Sequence, residues 1–423
     1  MQAFCHTFDG YRPMRLLHLY ILLLFPWWIH AQSAWCDLDR LVVLNQDNPA
    51  YRSFLQKIDS TLAHHPVQSR SVIYIPVVIH VVATADQQPI SRAQALQQLD
   101  VVNLDFAGQG ENIYKLLPDF EPLVKDAEIR FCLATIDPDG GPTTGITFTQ
   151  TTVPNIALET GQEGRVAIHY DQLGGKTGWD PERYLNIWVG EYGDLLGSAS
   201  FPGMAPFPEE EGVVVDIYHF GSIGDGGASG FYGRGHTLTH EIGHFLGLKH
   251  IWGQGLEYTC DDSDDVEDTP NASGPYYNCP TGVQWSCDAS NMYQNFMDFT
   301  DDRCLAAFTS DQVQHMQAVL EIFYTQWTSS ASCLTYADSF DTWYSELTWA
   351  YDAGSRRWVI YHDVVWTGDR RVEVFSADGR LVSEGQWHEE LSYMIDLVRV
   401  GAGVFFVKIS QGEAHEVRKI AVY

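Results

Sequence analysis

The chain opens on an apolar run, "LLHLYILLLFPWWI", that follows Arg12 and Arg15 and closes at the small residue Ala31. A membrane-spanning helix needs about 20 apolar residues, more than this run supplies. A basic start, an apolar middle and a small end mark a secretory leader over residues 1–31, so no stable transmembrane segment is expected once it is removed. Residues 32–70 are polar with a short helical pattern and too few apolar positions for a core, which reads as a pro-segment.

At Ser71 the pattern changes. "SVIYIPVVIHVVAT" is rich in β-branched residues over a continuous stretch, as in a strand buried in a sheet. Ser91 offers an N-cap for "RAQALQQLDVVNLDF", where Ala95, Leu99 and Val102 recur at helical spacing and give one apolar face to back that sheet. "AEIRFCLATID" and "YLNIWVGEY" read as further strands, and "LLGSASFPG" as a short edge strand ended by Pro202. From Trp252 to Asp302 the periodicity disappears, and it returns as a helix over Thr309 to Tyr324 with Val313, Met316, Leu320 and Phe323 on one face. Past Ser339 the texture is all β, with Asp378-Gly379 and Gln411-Gly412 set between strand-like runs as hairpin turns, which suggests a small β-sandwich. The expectation is an α+β domain over residues 71–335 and a β-sandwich over 340–423.

Composition narrows the partners. With 423 residues and 45% hydrophobic content the chain folds, in more than one domain. A formal net charge of -30 repels nucleic acid and anionic membranes and favours cations, metal ions among them.

The chemistry concentrates in "HTLTHEIGHFLGLKH", residues 236–250. On a helix, positions i and i+4 share a face, so His240 and His244 direct two imidazoles at one point. Gly247 suits the left-handed residue that ends a helix, and the turn it permits brings back His250 as a third ligand. Three neutral imidazoles suit Zn²⁺ and leave its fourth position open to water, the arrangement of catalytic zinc. Zinc lowers the pKa of that water from about 15.7 toward roughly 7, and Glu241, beside it, is placed to act as general base on a peptide carbonyl.

The extended pattern HExxHxxGxxH, followed by Met297 in "NFMDFTDDRC", resembles the metzincin clan of zinc peptidases with their methionine turn. The wording is closer still to the pappalysin family, through "IPVVIHVV", "GRGHTLTHEIGHFLGLKHIWG", "DDVEDTP", "NFMDFTDDRC" and "FTSDQ" in that order, over roughly residues 71–333. The resemblance implies a zincin-type catalytic domain, in which a twisted mixed sheet, a backing helix and the active-site helix lie over an irregular C-terminal lobe. It implies that "LLGSASFPG" pairs with an extended protein or peptide substrate, and that Met297 lies beneath the metal. Members usually carry tyrosine two residues after that methionine, where this chain has Phe299, so a slower enzyme is expected.

"CDDSDDVEDTPN" holds acidic side chains at a density that needs neutralising, and the resembled family binds calcium here, which implies Asp265, Asp268 and Thr269 as Ca²⁺ ligands. The four cysteines of this lobe allow three pairings; the resemblance favours Cys260 with Cys287 and Cys279 with Cys304. Of eight cysteines, Cys5 leaves with the leader, so an odd number remains, and export makes an odd thiol conspicuous. Cys36 can offer its thiolate to the open zinc position and hold a precursor latent until cleavage after Arg70; Asp37 or Asp39 can offer a carboxylate to the same end.

The final strands, "RRVEVFSADGRLV" through "GVFFVKISQGEAHEVRKIAVY", resemble the Ig-like C-terminal sorting domains of bacterial type IX secretion. That resemblance implies the type IX machinery as a partner and export through periplasm and outer membrane to the cell surface or the medium. The function expected is a secreted zinc endopeptidase; the alternative is a cell-surface binding protein that keeps zinc with weakened catalysis.

Overall fold

The structure, a computed structural model, describes residues 36, 49–64, 72–87, 90–141, 143–221, 231–253 and 258–327, and in the C-terminal part 348–352, 357–361, 369–376, 379–388, 392–397, 403–411 and 414–422. The expected leader, Asp37, Asp39, Arg70 and Cys333 lie outside the described residues. In chain order the elements around the main sheet are α1 (Pro49–His64), β1 (Ile73–Ala83), α2 (Arg92–Phe106), β2 (Ile129–Leu133), β3 (Ile146–Gln150), β4 (Leu185–Gly190), β5 (Gly197–Ala199), β6 (Val213–Asp216), α3 (His236–Phe245), the hairpin β7 (Gln284–Ser286) and β8 (Ala289–Asn291), and α4 (Ser310–Phe323).

β1 organises the sheet. It pairs in parallel with β2 along its first half, with β3 along its second half, and with β4 on its other side. β6 continues the sheet in parallel from β4, and β5 closes the edge antiparallel to β6. The continuous apolar run of β1 follows from burial of both its faces. Ile75, Val77, Ile79 and Val81 enter the main core, whereas Val78 and Val82 enter smaller clusters on the opposite face. His80 shares that opposite face, fully buried, with Thr147 Oγ1 at 2.8 Å and Asn186 Oδ1 at 3.1 Å, and burial lowers its pKa to about 4.

The helices cover the main-core face. Ser91 caps α2 by accepting the Gln94 N–H at 3.1 Å, and Ala95, Leu96, Leu99, Val102 and Phe106 are buried beneath it. A capping box of Thr309 and Gln312 starts α4, which buries Val313, Met316, Val319 and Leu320. α1, from the expected pro-segment, joins the same core: Tyr51 and Phe54 stack on Phe201 at 6.0 and 5.7 Å, and Phe54 lies 5.3 Å from Phe323.

The C-terminal part is all β. β9 (Thr348–Asp352), β10 (Arg357–Tyr361) and β13 (Ser392–Asp396) form one sheet. β11 (Arg370–Ser376), β12 (Leu381–Trp387), β14 (Gly403–Gln411) and β15 (Ala414–Val422) form the other. Ile360 and Ile395 from the first meet Val372, Val374, Val407 and Ile409 from the second in a core of their own.

One buried ion pair ties α2 to the start of α3. Asp105 Oδ2 lies 2.8 Å from His236 Nδ1 and accepts the Thr239 hydroxyl at 2.6 Å, with both partners of the pair 1% exposed. Burial opposes the charged imidazole, yet the Asp105 carboxylate outweighs it and raises His236 to about 9. Because the folded value exceeds the unfolded one, this stabilisation is complete below about pH 6.5 and fades as the pH rises through about 9. Asp105→Asn should therefore cost about 3 kcal/mol at pH 6 and much less at pH 9.5; urea melts of both proteins at the two pH values check this, and an equal loss at both would contradict it.

Candidate metal centre and active site

α3 is an apolar helix on the core side, where Leu238, Ile242 and Phe245 are buried, and a polar one on the side facing the loop lobe. The helix stops where the sequence suggested. Gly247 adopts φ +90°, and a Cβ there would lie 2.9 Å from both His315 Nε2 and Val319 Cγ2, so conformation and space both require glycine. The chain then turns, and His250 comes back beside the helix.

The three expected ligands meet. Nε2 of His244 is 2.9 Å from Nε2 of His240 and 3.1 Å from Nε2 of His250. The other nitrogens explain why they face one another. His240 Nδ1 donates to the Phe296 carbonyl at 2.6 Å and His244 Nδ1 to the Leu248 carbonyl at 2.8 Å. A carbonyl can only accept, so Nδ1 carries the proton and Nε2 presents a lone pair. Burial holds His240 down to about 3 and His244 well below its ordinary range, which keeps both neutral. Lone pairs directed at one another repel unless a cation lies between them. A tetrahedral ion with bonds of about 2.0–2.1 Å sets its nitrogens roughly 3.3 Å apart, close to what is seen. The donor set fits zinc.

Around this centre the structure gathers other residues singled out from the sequence. Glu241 is 1% exposed, and Gly197 of β5 lies so close that a Cβ there would stand 2.8 Å from Glu241 Oε1. Met297 is fully buried, with its sulfur 2.6 Å from where a Cβ on Gly243 would be, against the helix between the two histidines. Cys36 is buried, forms an isolated parallel bridge with Gly197, and donates its thiol toward Glu241 Oε2 at 3.7 Å. Its sulfur belongs with His240, His244 and His250 to one group of ligand atoms within 4.8 Å of one another.

The loop lobe is tied by Cys260–Cys287 and Cys279–Cys304, with Cα–Cα distances of 5.3 and 5.7 Å, the pairing that the resemblance implied. Each bond closes a loop of 25 or more residues and contributes about 3 kcal/mol by chain entropy. Cys132 is also disulfide-bonded.

The three expected calcium ligands each meet protein groups: Asp265, 59% exposed, ion-pairs with Lys249, Asp268 Oδ2 accepts the Asp311 N–H at 3.0 Å, and Thr269 meets Thr309 at 3.4 Å. Asp265 has a positive φ, 62°, and of the two neighbours Asp264 is the buried one. Asp264 is 3% exposed, with Oδ2 unpartnered and its carboxyl pushed up to about 8 by burial.

Sequence reasoning missed the residues that support the ligands. Trp252 lies flat on His250, ring centroids 4.5 Å apart and planes 12° from parallel, and Phe299 stands edge-on to both. The aspartates of "FMDFTDD" turned inward as well: Asp298 and Asp302 are each 1% exposed. "HIWG" and the acidic run after the methionine were the available signals, but neither fixes an orientation.

Comparison with known proteins agrees with this geometry. Residues 170–321 match the Peptidase_M43 family, described as pregnancy-associated plasma protein-A. A promirolysin mutant from Tannerella forsythia superposes with a TM-score of 0.61 and 34% identity over 70% of this chain and 97% of that one. The chain belongs to the pappalysin-type metalloprotease family. Mature mirolysin of the same organism, in complex with a cleaved peptide, matches with a TM-score of 0.56 and 37% identity over 62% of this chain and 99% of that one. Among curated members of the family, an extracellular metalloprotease of Arthroderma benhamiae is 35% identical over 134 residues, 30% of this chain and 44% of that protein. One of Neurospora crassa is 32% identical over 152 residues, 35% of this chain and 50% of that protein. The chain thus spans about half the length of these curated relatives or less.

Phe299, where the resemblance drawn from the sequence implied a tyrosine, places its ring 5.8 Å from that of His240 and 4.8 Å from that of His250. Adding the hydroxyl in Phe299→Tyr should raise kcat on a peptide several-fold, up to about 10²-fold. Steady-state kinetics of the two proteins decide it, and an unchanged or lower kcat would count against the hydroxyl.

Proposed function

We propose that the protein is a secreted zinc-dependent endopeptidase. The observation that carries this reading is the convergence of three imidazole Nε2 atoms beside Glu241, at the edge strand β5. His240, His244 and His250 would hold the zinc, which when bound supplies a Lewis acid for the scissile carbonyl and makes water acidic enough to be deprotonated near neutral pH. Glu241 takes that proton on its carboxylate and delivers it to the leaving amine. β5 presents its open backbone edge to an extended peptide, whose main chain supplies affinity. Trp252 and Phe299 keep water from the rear of the ligand rings.

Extracellular location is supported by the disulfides of the loop lobe and by the curated relatives, which are extracellular metalloproteases by name. Among the described residues no helix is long and apolar enough to cross a membrane.

The same geometry supports latency. The Cys36 sulfur stands where a fourth donor would complete the set, and its bridge to Gly197 covers the strand edge that substrate needs. A calcium ion in the loop lobe belongs to the reading in altered form, with Asp264 in place of Asp265: its unpartnered oxygen, that of Asp268 and the neighbouring Thr269 are hard ligands in want of a cation.

Three outcomes are expected. Glu241→Ala should retain zinc by metal analysis and lose at least about 10²-fold in hydrolysis of an unfolded protein; zinc without any Glu241-dependent cleavage would favour the non-catalytic binding protein. The uncleaved chain carrying Cys36→Ser should hydrolyse that substrate at least about 10-fold faster than the uncleaved parent, and equal latency, also in Asp37 and Asp39 variants, would remove the thiol switch. A calcium-selective chelator should lower Tm by several degrees in the parent and not in Asp264→Asn; identical melts in the parent would dismiss the ion.

A further inference from the structure

Two of the stretches that stand out in the sequence, "NFMDFTDDRC" and "FTSDQ", meet in the core through Asn295 and Gln312. Both side chains are fully buried. Asn295 Nδ2 donates to Gln312 Oε1 at 2.8 Å, and Gln312 Nε2 donates back to Asn295 Oδ1 at 3.2 Å. Each oxygen also takes a backbone donor. Gln312 Oε1 accepts the Thr309 N–H at 2.9 Å, where α4 begins, and Asn295 Oδ1 accepts the Met297 N–H at 2.9 Å. A backbone N–H can only donate, so these bonds settle which atom of each amide is the oxygen. A capping glutamine needs its oxygen alone. The Nε2 of Gln312 and the side chain of Asn295 serve something else.

That pair reaches the metal ligands through one peptide plane. The Met297 N–H and the Phe296 carbonyl belong to the same planar trans unit, so they point in opposite directions. Asn295 grips the N–H, and His240 Nδ1 donates to the carbonyl at 2.6 Å. Fixing one end of the plane therefore fixes the other. The bonds on either side keep the plane from shifting: the Phe296 N–H donates to the Ala307 carbonyl at 3.1 Å, and the Asp298 N–H to the Asn295 carbonyl at 3.0 Å. Donation by the Met297 N–H also polarises the unit. Its carbonyl becomes a stronger acceptor, and the imidazole bonded to that carbonyl a better ligand.

We infer that Asn295 and Gln312 are positioning residues for the metal centre, which hold the peptide plane that aims His240 and so let the start of α4 set the zinc affinity. The inference rests on the zinc peptidase reading. It assigns a role in metal binding to a side chain on a helix that supplies no ligand.

The test uses the full chain carrying Cys36→Ser, which removes the thiol from the centre, and reads the zinc dissociation constant by competition with a chromogenic chelator. Gln312→Met removes both amide bonds at nearly constant volume and should weaken zinc binding at least about 10-fold. Gln312→Asn, one methylene shorter, carries the same expectation if the methionine variant does not fold. Thr309→Ala takes the cap from α4 but leaves both amides, so it should lower Tm yet hold zinc within about 3-fold of the parent. An unchanged dissociation constant in folded Gln312→Met or Gln312→Asn, or an equal weakening in Thr309→Ala, would overturn the inference. Zinc binding weakened as expected, with no hydrolysis of a peptide by the zinc-loaded parent, would leave the positioning role standing and defeat the peptidase reading instead.

Discussion

Three imidazoles held with their Nε2 atoms face to face are an unfavourable arrangement without a cation, and much of the surrounding structure serves to maintain it. Two backbone carbonyls fix which nitrogen carries the proton on His240 and His244. One of them, from Phe296, immediately precedes Met297, so the segment that fills the space under α3 is the same one that orients a ligand. Burial keeps His240 and His244 uncharged, and Trp252 and Phe299 close around His250. A cation placed between the three nitrogens turns this mutual repulsion into attraction.

The same lobe explains how so irregular a segment stays in place. From Tyr258 to Cys304 regular structure among the described residues is limited to a short hairpin, so backbone hydrogen bonds alone do not hold it. Two disulfides, the buried carboxyls of Asp298 and Asp302 accepting backbone N–H groups, and the inward Asp264 do that work instead. Acidic residues that look in the sequence like a solvated surface are in part internal fasteners. The chain's net charge of -30 is thus a poor guide to where its acids lie.

α1 and Cys36 link this centre to the segment that precedes the main sheet. Tyr51 and Phe54 bury their rings against Phe201, which follows β5, and Phe323, at the end of α4, while Cys36 reaches Gly197 in β5 itself. α1 is thus anchored by apolar contacts to the chain just after β5 and to the end of α4. Local release of the thiol alone would leave those contacts intact.

Much of this was legible beforehand. The i, i+4 histidines, the glycine turn, the capped helices and the β-branched run of β1 follow from periods and propensities that act over a few residues, and they fell where the pattern put them. That Asp264 is buried while Asp265 is exposed was not legible, because no period sets which side chains of an irregular loop face inward. The Asp105–His236 pair and the stacking of Trp252 were invisible for a related reason: each joins side chains whose approach depends on how elements pack. The sequence by itself determined which histidines and which glutamate meet at the centre, and the class of fold, since these rest on chemistry and local geometry. Only the tertiary structure decided which acids are buried and which carbonyls orient His240 and His244, because burial and contact are properties of the packed chain.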